Sequence, residues 1–224
     1  MDIQIYNSLQ SLNESFTEWF KEIIDENDYI TLPSGEINWN KVKFFWGDER
    51  CVPPNDSDSN YKMTKDHLFD NIEIPKENIF RIMGENNPTE EAKRYSDLLN
   101  KELEVRNNVP TFDIVILGMG DDGHTASIFP HEIELWNSDY NCVAATHPDS
   151  GQKRVSITGK VINSAKNVAF LVTGDNKAEK VKEIIENPEE SEKKYPAALV
   201  QPDSDNLCWY LDEKAASLIM GFPE

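Results

Sequence analysis

Between Thr111 and Pro130 the chain reads Thr-Phe-Asp-Ile-Val-Ile-Leu-Gly-Met-Gly-Asp-Asp-Gly-His-Thr-Ala-Ser-Ile-Phe-Pro: an apolar run that suits a buried strand, a glycine turn, and one histidine. A histidine in so acidic a turn suits a neutral imidazole oriented by a carboxylate, and such a group works as a general base. The bland alternative for His124 is an imidazole that satisfies a local backbone carbonyl. Gly118-Met119-Gly120-Asp121-Asp122-Gly123 also fits GxGxxG, the dinucleotide fingerprint. Two carboxylates then stand where a pyrophosphate would lie, and anions at a helix N-terminus repel one another. Pro130 arrives six residues after His124, too soon for the crossover helix that a nucleotide fold needs. We therefore read the turn as a substrate site at the carboxyl end of a parallel strand. The alternative is a structural turn whose glycines only supply positive φ.

Other residues could hold an anion. Phe44-Phe45-Trp46-Gly47-Asp48-Glu49-Arg50 places three charges after an aromatic strand, and Arg50 can act as a fork for phosphate or carboxylate, positioned by the neighbouring acids. A solvated strand end with a local ion pair is the competing possibility. Lys177 follows Thr173-Gly174-Asp175 in the first turn of a helix, where the macrodipole disfavours a cation and a bound anion would remove the conflict. Arg154, at the start of a strand, is a second candidate contact. His131 lacks the spacing of a helical metal pair with His124, and His67 and His147 have no evident partner, so no metal is expected. Without a GxSxG elbow or a Cys/His signature, a covalent acyl-enzyme is not expected either.

The elements that must carry these residues follow from periodicity. Leu9, Leu12, Phe16, Phe20, Ile23 and Ile24 predict an amphipathic helix over 9 to 24. Strands are expected at Tyr29 to Leu32 and Val42 to Trp46. Asn87-Pro88-Thr89-Glu90 reads as a helix start, and the helix should run to about Val105. Further strands are expected at 112 to 117, 142 to 146, 153 to 158 and 168 to 173, then a helix from about Asn176, a charged loop from Asn187 to Lys194, short strands at Ala197 to Val200 and Cys208 to Leu211, and a closing helix from Asp212. Strands alternating with helices indicate a single α/β domain over 1 to 224 with a mainly parallel sheet. One joint does not fit: Pro33 to Lys41 is too short for a parallel crossover. Either the strands around it are antiparallel or residues are missing.

A chain of 224 residues with a net charge of −19 can bury a sizeable core and repels nucleic acid and anionic membranes, so neither is an expected partner. Anion-binding cations must then be concentrated locally. No apolar run is long enough to span a bilayer, and Met-Asp-Ile-Gln-Ile-Tyr carries no signal pattern, which leads us to expect a cytoplasmic address. Cys51, Cys142 and Cys208 are odd in number and widely spaced, as core residues or free thiols would be.

Taken together, FFWGDERCVPP, DSDSNYKM, FDIVILGMGDDGHTASIFP, KRVSITGKVIN, VTGDNKAEKV, YPAALVQP and WYLDEKAA resemble the 6-phosphogluconolactonases in order and spacing over about residues 29 to 219. The resemblance implies the modified Rossmann-like fold shared with glucosamine-6-phosphate deaminases (the NagB/RpiA/CoA-transferase-like class), a mainly parallel sheet flanked by helices. It also implies hydrolysis of 6-phosphogluconolactone in the oxidative pentose phosphate pathway, with a small phosphosugar lactone as partner and no cofactor. It places the base on His124 and the substrate-phosphate contacts on Arg50, Arg154 and Lys177; to these our reading adds Asp122 as the group that orients the imidazole and Asp48, Gly118, Gly120 and Gly123 as further substrate contacts. Deaminases of this fold show DEY and DGHIAFNEP, where this chain has Arg50 and Thr125-Ala-Ser-Ile-Phe-Pro130, which favours the lactonase.

The resemblance also implies an SGGSTP-like loop and a helix after the first strand. Here only Leu32-Pro33-Ser34-Gly35 stands in that place, at the joint that is too short on independent grounds. A genuine deletion would leave the phosphate site half built, which keeps a non-catalytic sugar-phosphate-binding protein open as an alternative.

Overall fold

Parallel strands need long crossovers, and the longest apolar runs of this chain are separated by them. The computed structural model describes residues 1–25 and 37–220. Its strands are β1 (Asp2–Tyr6), β2 (Phe44–Phe45), β3 (Asp48–Arg50), β4 (Ile79–Phe80), β5 (Glu104–Arg106), β6 (Val109–Thr111), β7 (Val115–Leu117), β8 (Cys142–Thr146), β9 (Lys153–Ile157), β10 (Val168–Val172) and β11 (Leu207–Asp212). Its α-helices are α1 (Leu9–Asp25), α2 (Asn60–His67), α3 (Pro88–Glu102), α4 (Gly159–Asn163), α5 (Ala178–Glu186), α6 (Pro188–Ser191) and α7 (Glu213–Ala216). The central sheet has the order β1-β11-β10-β7 with every pair parallel. Three strands, β3-β9-β8, form a separate antiparallel sheet, and β2 pairs with β4 in parallel.

Helices cover both faces of the central sheet, so β10 and β11 carry apolar residues at successive positions instead of alternating with polar ones. Val168, Phe170 and Trp209 face one side, where Phe170 and Trp209 stack with centroids 4.0 Å apart and meet Val181 and Ile184 of α5. Ala169, Cys208 and Tyr210 face the other, against Leu12 and Phe16 of α1. Full burial of each large side chain contributes about 1.5–3 kcal/mol. Ser8 caps α1 by accepting the Ser11 N–H at 3.1 Å. Asn87 caps α3 by accepting the N–H groups of Thr89 and Glu90. On α3, the fully buried Tyr95 hydroxyl accepts the Trp46 N–H at 2.8 Å and donates to the Trp46 carbonyl, which pins the chain between β2 and β3.

Several predicted boundaries move. The strand expected at Tyr29 to Leu32 and the first four residues of the short joint, 33–36, lie outside the described residues. The helix expected to reach Val105 stops at Glu102, because Asn107 and Asn108 take positive φ (50° and 63°) and turn the chain into the β5–β6 hairpin. Strand pairing expected from residue 112 begins at Val115 in β7. Ala197 to Val200 is not a strand: Pro196 opens a 3-10 turn over Pro196–Leu199, where the proline has no N–H for a ladder and the Ala198 N–H returns to the Tyr195 carbonyl. The charged loop from Asn187 contains one helical turn, α6. No helix of the described residues is long and apolar enough to cross a membrane.

Candidate active site

At the carboxyl end of β7 the turn closes on itself. The Gly120 N–H donates to the His124 carbonyl at 2.9 Å, and the Gly123 N–H to the Gly120 carbonyl at 3.1 Å. Gly123 has φ +86°, and a Cβ there would lie 2.6 Å from the Tyr195 ring. A Cβ on Gly120 would sit 2.1 Å from His124 Nδ1. These two glycines are therefore required by close approach, of an aromatic ring in one case and of the imidazole in the other. Because their N–H groups are spent inside the turn, neither is left to stabilise a developing oxyanion. Gly118 is different: a Cβ would meet nothing within 4 Å, and its carbonyl accepts the Thr125 hydroxyl at 2.8 Å.

The Asp122 carboxylate receives both the His124 backbone N–H (3.0 Å) and the ring, with Nδ1 to Oδ1 at 2.6 Å. Burial pushes the Asp122 carboxyl up, but the hydrogen bonds from the His124 ring and backbone outweigh it and hold the group below the usual carboxylate range. An ionised Asp122 has no proton to give, so Nδ1 carries the hydrogen. In the neutral imidazole Nε2 is then an acceptor, and among the described residues it has no hydrogen-bond partner. The ring rests 4.7 Å from the buried Phe129 and stays 29% exposed, accessible to a ligand.

Asp48, Glu49 and Arg50 form a strand of their own, antiparallel to β9, in place of the expected charged segment beyond a strand end. That pairing puts Arg50 directly opposite Arg154. The Nε of each is buried without a hydrogen-bond partner, while Arg50 Nη1 donates to the Asp58 carbonyl at 2.5 Å. Burial and then the Arg50 charge depress the Arg154 guanidinium below its ordinary range. Two like charges opposite each other in a ladder destabilise it, and an anion between them reverses the sign.

Asp48, predicted to touch substrate, instead has both oxygens engaged within the protein, Oδ2 by Ser127 at 2.5 Å and Oδ1 by Asn60 at 3.2 Å. Glu49, named from the sequence only as one of the acids beside Arg50, is a buried anchor. It is 2% exposed and accepts the N–H groups of Arg50, Asn60 and Tyr61 and the Ser59 hydroxyl, anchoring the start of α2 behind Arg50. Tyr195 is a residue that the sequence did not single out. Its ring backs Gly123, its hydroxyl donates to Glu183 at 2.6 Å, and the Ala197 N–H meets the Gly123 carbonyl.

Lys177 ends a 3-10 turn (Asp175–Lys177) immediately before α5, after a Gly174 with φ +97° whose N–H is held by Asp212. It makes no ion pair among the described residues. Since β10 and β7 are parallel neighbours, this turn and the His124 turn leave the same end of the sheet, where open α/β sheets bind ligands. No group of three or more His, Cys, Asp or Glu able to hold a metal occurs among the described residues.

The model of the glucosamine-6-phosphate isomerases/6-phosphogluconolactonase family matches residues 15–209, most of the chain. The chain belongs to this family. Among its lactonase relatives, the 6-phosphogluconolactonase of Haemophilus influenzae (strain ATCC 51907 / DSM 11121 / KW20 / Rd) is 47% identical over 184 residues, 82% of this chain and 77% of that protein. That of Treponema pallidum (strain Nichols) is 48% identical over 155 residues, 69% of this chain; the matched stretch spans 64% of the Treponema protein. The crystal structure of devB protein superposes with a TM-score of 0.88 at 36% identity, covering 96% of this chain and 98% of that one. The two share the α/β arrangement described above, a mostly parallel central sheet flanked by helices.

Proposed function

We propose that this chain hydrolyses 6-phospho-D-glucono-1,5-lactone to 6-phospho-D-gluconate in the oxidative pentose phosphate pathway, and that it does so in the cytoplasm, where its three unpaired cysteines would stay reduced. The observation that carries the mechanism is the Asp122–His124 hydrogen bond, which commits Nδ1 as donor and turns Nε2 outward as acceptor. The substrate's phosphate lies between Arg50 and Arg154, with Lys177 at the sheet's carboxyl end. The C1 carbonyl lies beside the glycine turn. His124 Nε2 takes a proton from water as the water oxygen bonds to C1, giving a tetrahedral oxyanion that N–H groups of the turn other than those of Gly120, Gly123 and His124 stabilise. Collapse re-forms the C1 carbonyl and breaks the bond from C1 to the ring oxygen, which leaves as a hydroxyl with the proton returned by the imidazolium; the acid so formed ionises to the carboxylate. Asp122 stays ionised throughout and holds the imidazolium in place. Every step balances with water as the sole co-reactant, so no cofactor is needed.

The names of the Treponema and Haemophilus relatives support this activity. The direct test is the lifetime of 6-phosphogluconolactone in buffer with and without the purified chain. The proposal requires a concentration-dependent shortening. A chain that binds 6-phosphogluconate yet leaves the lifetime unchanged would be the non-catalytic sugar-phosphate binder instead.

A further inference from the structure

The His124 turn and the two arginines stand on different elements, and one residue joins them. Ser127 donates its hydroxyl to Asp48 Oδ2 at 2.5 Å and its N–H to Ser156 Oγ at 3.0 Å. Asp48 and Ser156 are direct partners across the β3–β9 ladder, and Arg50 and Arg154 are partners two residues further along. Side chains two apart share a face of a strand, so both pairs lie on one face, separated by about 7 Å at 3.3–3.4 Å per residue. Ser127 therefore docks on both strands at once, on the face that carries the arginines.

The chain between Ser127 and His124 is held under constraint. Ala126 has φ +48°, in the left-handed region that a residue with a Cβ avoids. It is flanked by two buried anchors, Thr125 at 0% and Ser127 at 1% exposure, each with its hydroxyl committed. A turn that only needed to change direction could relax at Ala126. This one is pinned on either side.

Resting on the lactonase reading above, we propose that Ser127, braced by Asp48 and Ser156, is a positioning residue that fixes the spacing between His124 and the arginine pair. Binding energy gained at a remote phosphate raises the rate only if the reacting carbon is delivered to the base in register, and misplacement by about 1 Å costs on the order of 10²-fold. The clamp thus governs how much a phosphorylated lactone is preferred over the same lactone without phosphate. Its role differs from simple support of the fold, which would affect both substrates alike.

The experiment compares kcat/KM for 6-phosphogluconolactone with that for unphosphorylated gluconolactone in wild type, Ser127→Ala, Ser156→Ala and Asp48→Asn, with thermal melts confirming the folded fraction. The ratio should fall about tenfold or more in the two serine variants. Asp48→Asn, which leaves a single oxygen for the two donors Ser127 and Asn60, should lower the ratio in the same direction. If Ser127→Ala does not fold, Ser156→Ala decides. An unchanged ratio in the folded serine variants, whether or not both rates drop together, would overturn the clamp while leaving the lactonase reading intact. A wild type that accelerates neither lactone would remove both.

Discussion

Arg50 and Arg154 face each other across two antiparallel strands, each with its Nε buried and unpartnered. Two like charges so placed destabilise the ladder, and in the function proposed above the substrate's phosphate relieves them. Replacing Arg154 with Met should therefore raise the melting temperature of the ligand-free protein while abolishing its response to phosphate compounds. In the wild type, 6-phosphogluconate at 100 Kd should add about 2.7 kcal/mol, or roughly 5–10 °C for a chain of this size. Differential scanning fluorimetry checks both. A ligand-induced shift that survives in Arg154→Met and in Arg50→Met would remove the arginines from the phosphate site.

The three glycines of the turn should respond differently to alanine. Gly123→Ala combines a positive φ with a Cβ 2.6 Å from Tyr195, and should lower the melting temperature by several degrees, since the left-handed backbone alone costs about 1–2 kcal/mol. Gly120→Ala should displace the His124 ring from Asp122 and lower kcat on the order of 10²-fold. Gly118→Ala meets open space, so its melting temperature should match the wild type. The substrate contact expected at Gly118 would then appear as a raised KM alone. Melts and steady-state kinetics on the three variants separate these outcomes.

Burial pushes the Cys51 and Cys208 thiols up to about 11 and the Cys142 thiol up to about 12. A raised value leaves less thiolate at a given pH. At pH 8 a thiol titrating near 11 is ionised in about one molecule in a thousand, against roughly one in four for an ordinary cysteine. All three should react slowly with a thiolate-selective disulfide reagent in the native protein and rapidly in denaturant. Fast native labelling of Cys51, which adjoins Arg50 and is half-buried, would contradict the shielding of its thiol.

How much of the site was visible in the sequence depended on the range of the contacts involved. His124 and Asp122 lie two residues apart in a glycine turn, and their pairing follows from local chemistry. Arg50 and Arg154 could each be named, but not their confrontation, because antiparallel pairing of Asp48–Arg50 with Lys153–Ile157 joins segments about a hundred residues apart. For the same reason Glu49 could be read only as one of the acids beside Arg50, and its burial by the start of α2 was not visible. Asp2–Tyr6, which was not predicted, is a strand only because Leu207–Asp212 lies beside it at the far end of the chain. Ala197 to Val200 misled in the opposite direction: four apolar residues suggested a strand, and Pro196 with the turn at Gly123 made them a buttress.

The central claim is that His124 takes the proton from the attacking water. Its most direct test is kcat/KM of His124→Asn for 6-phosphogluconolactone, with spontaneous hydrolysis subtracted and the affinity for 6-phosphogluconate measured in parallel. Loss of a general base predicts a fall of about 10²–10⁴-fold with product affinity and melting temperature near wild type. A folded variant that retains more than about a tenth of wild-type kcat/KM would show that another group does this work.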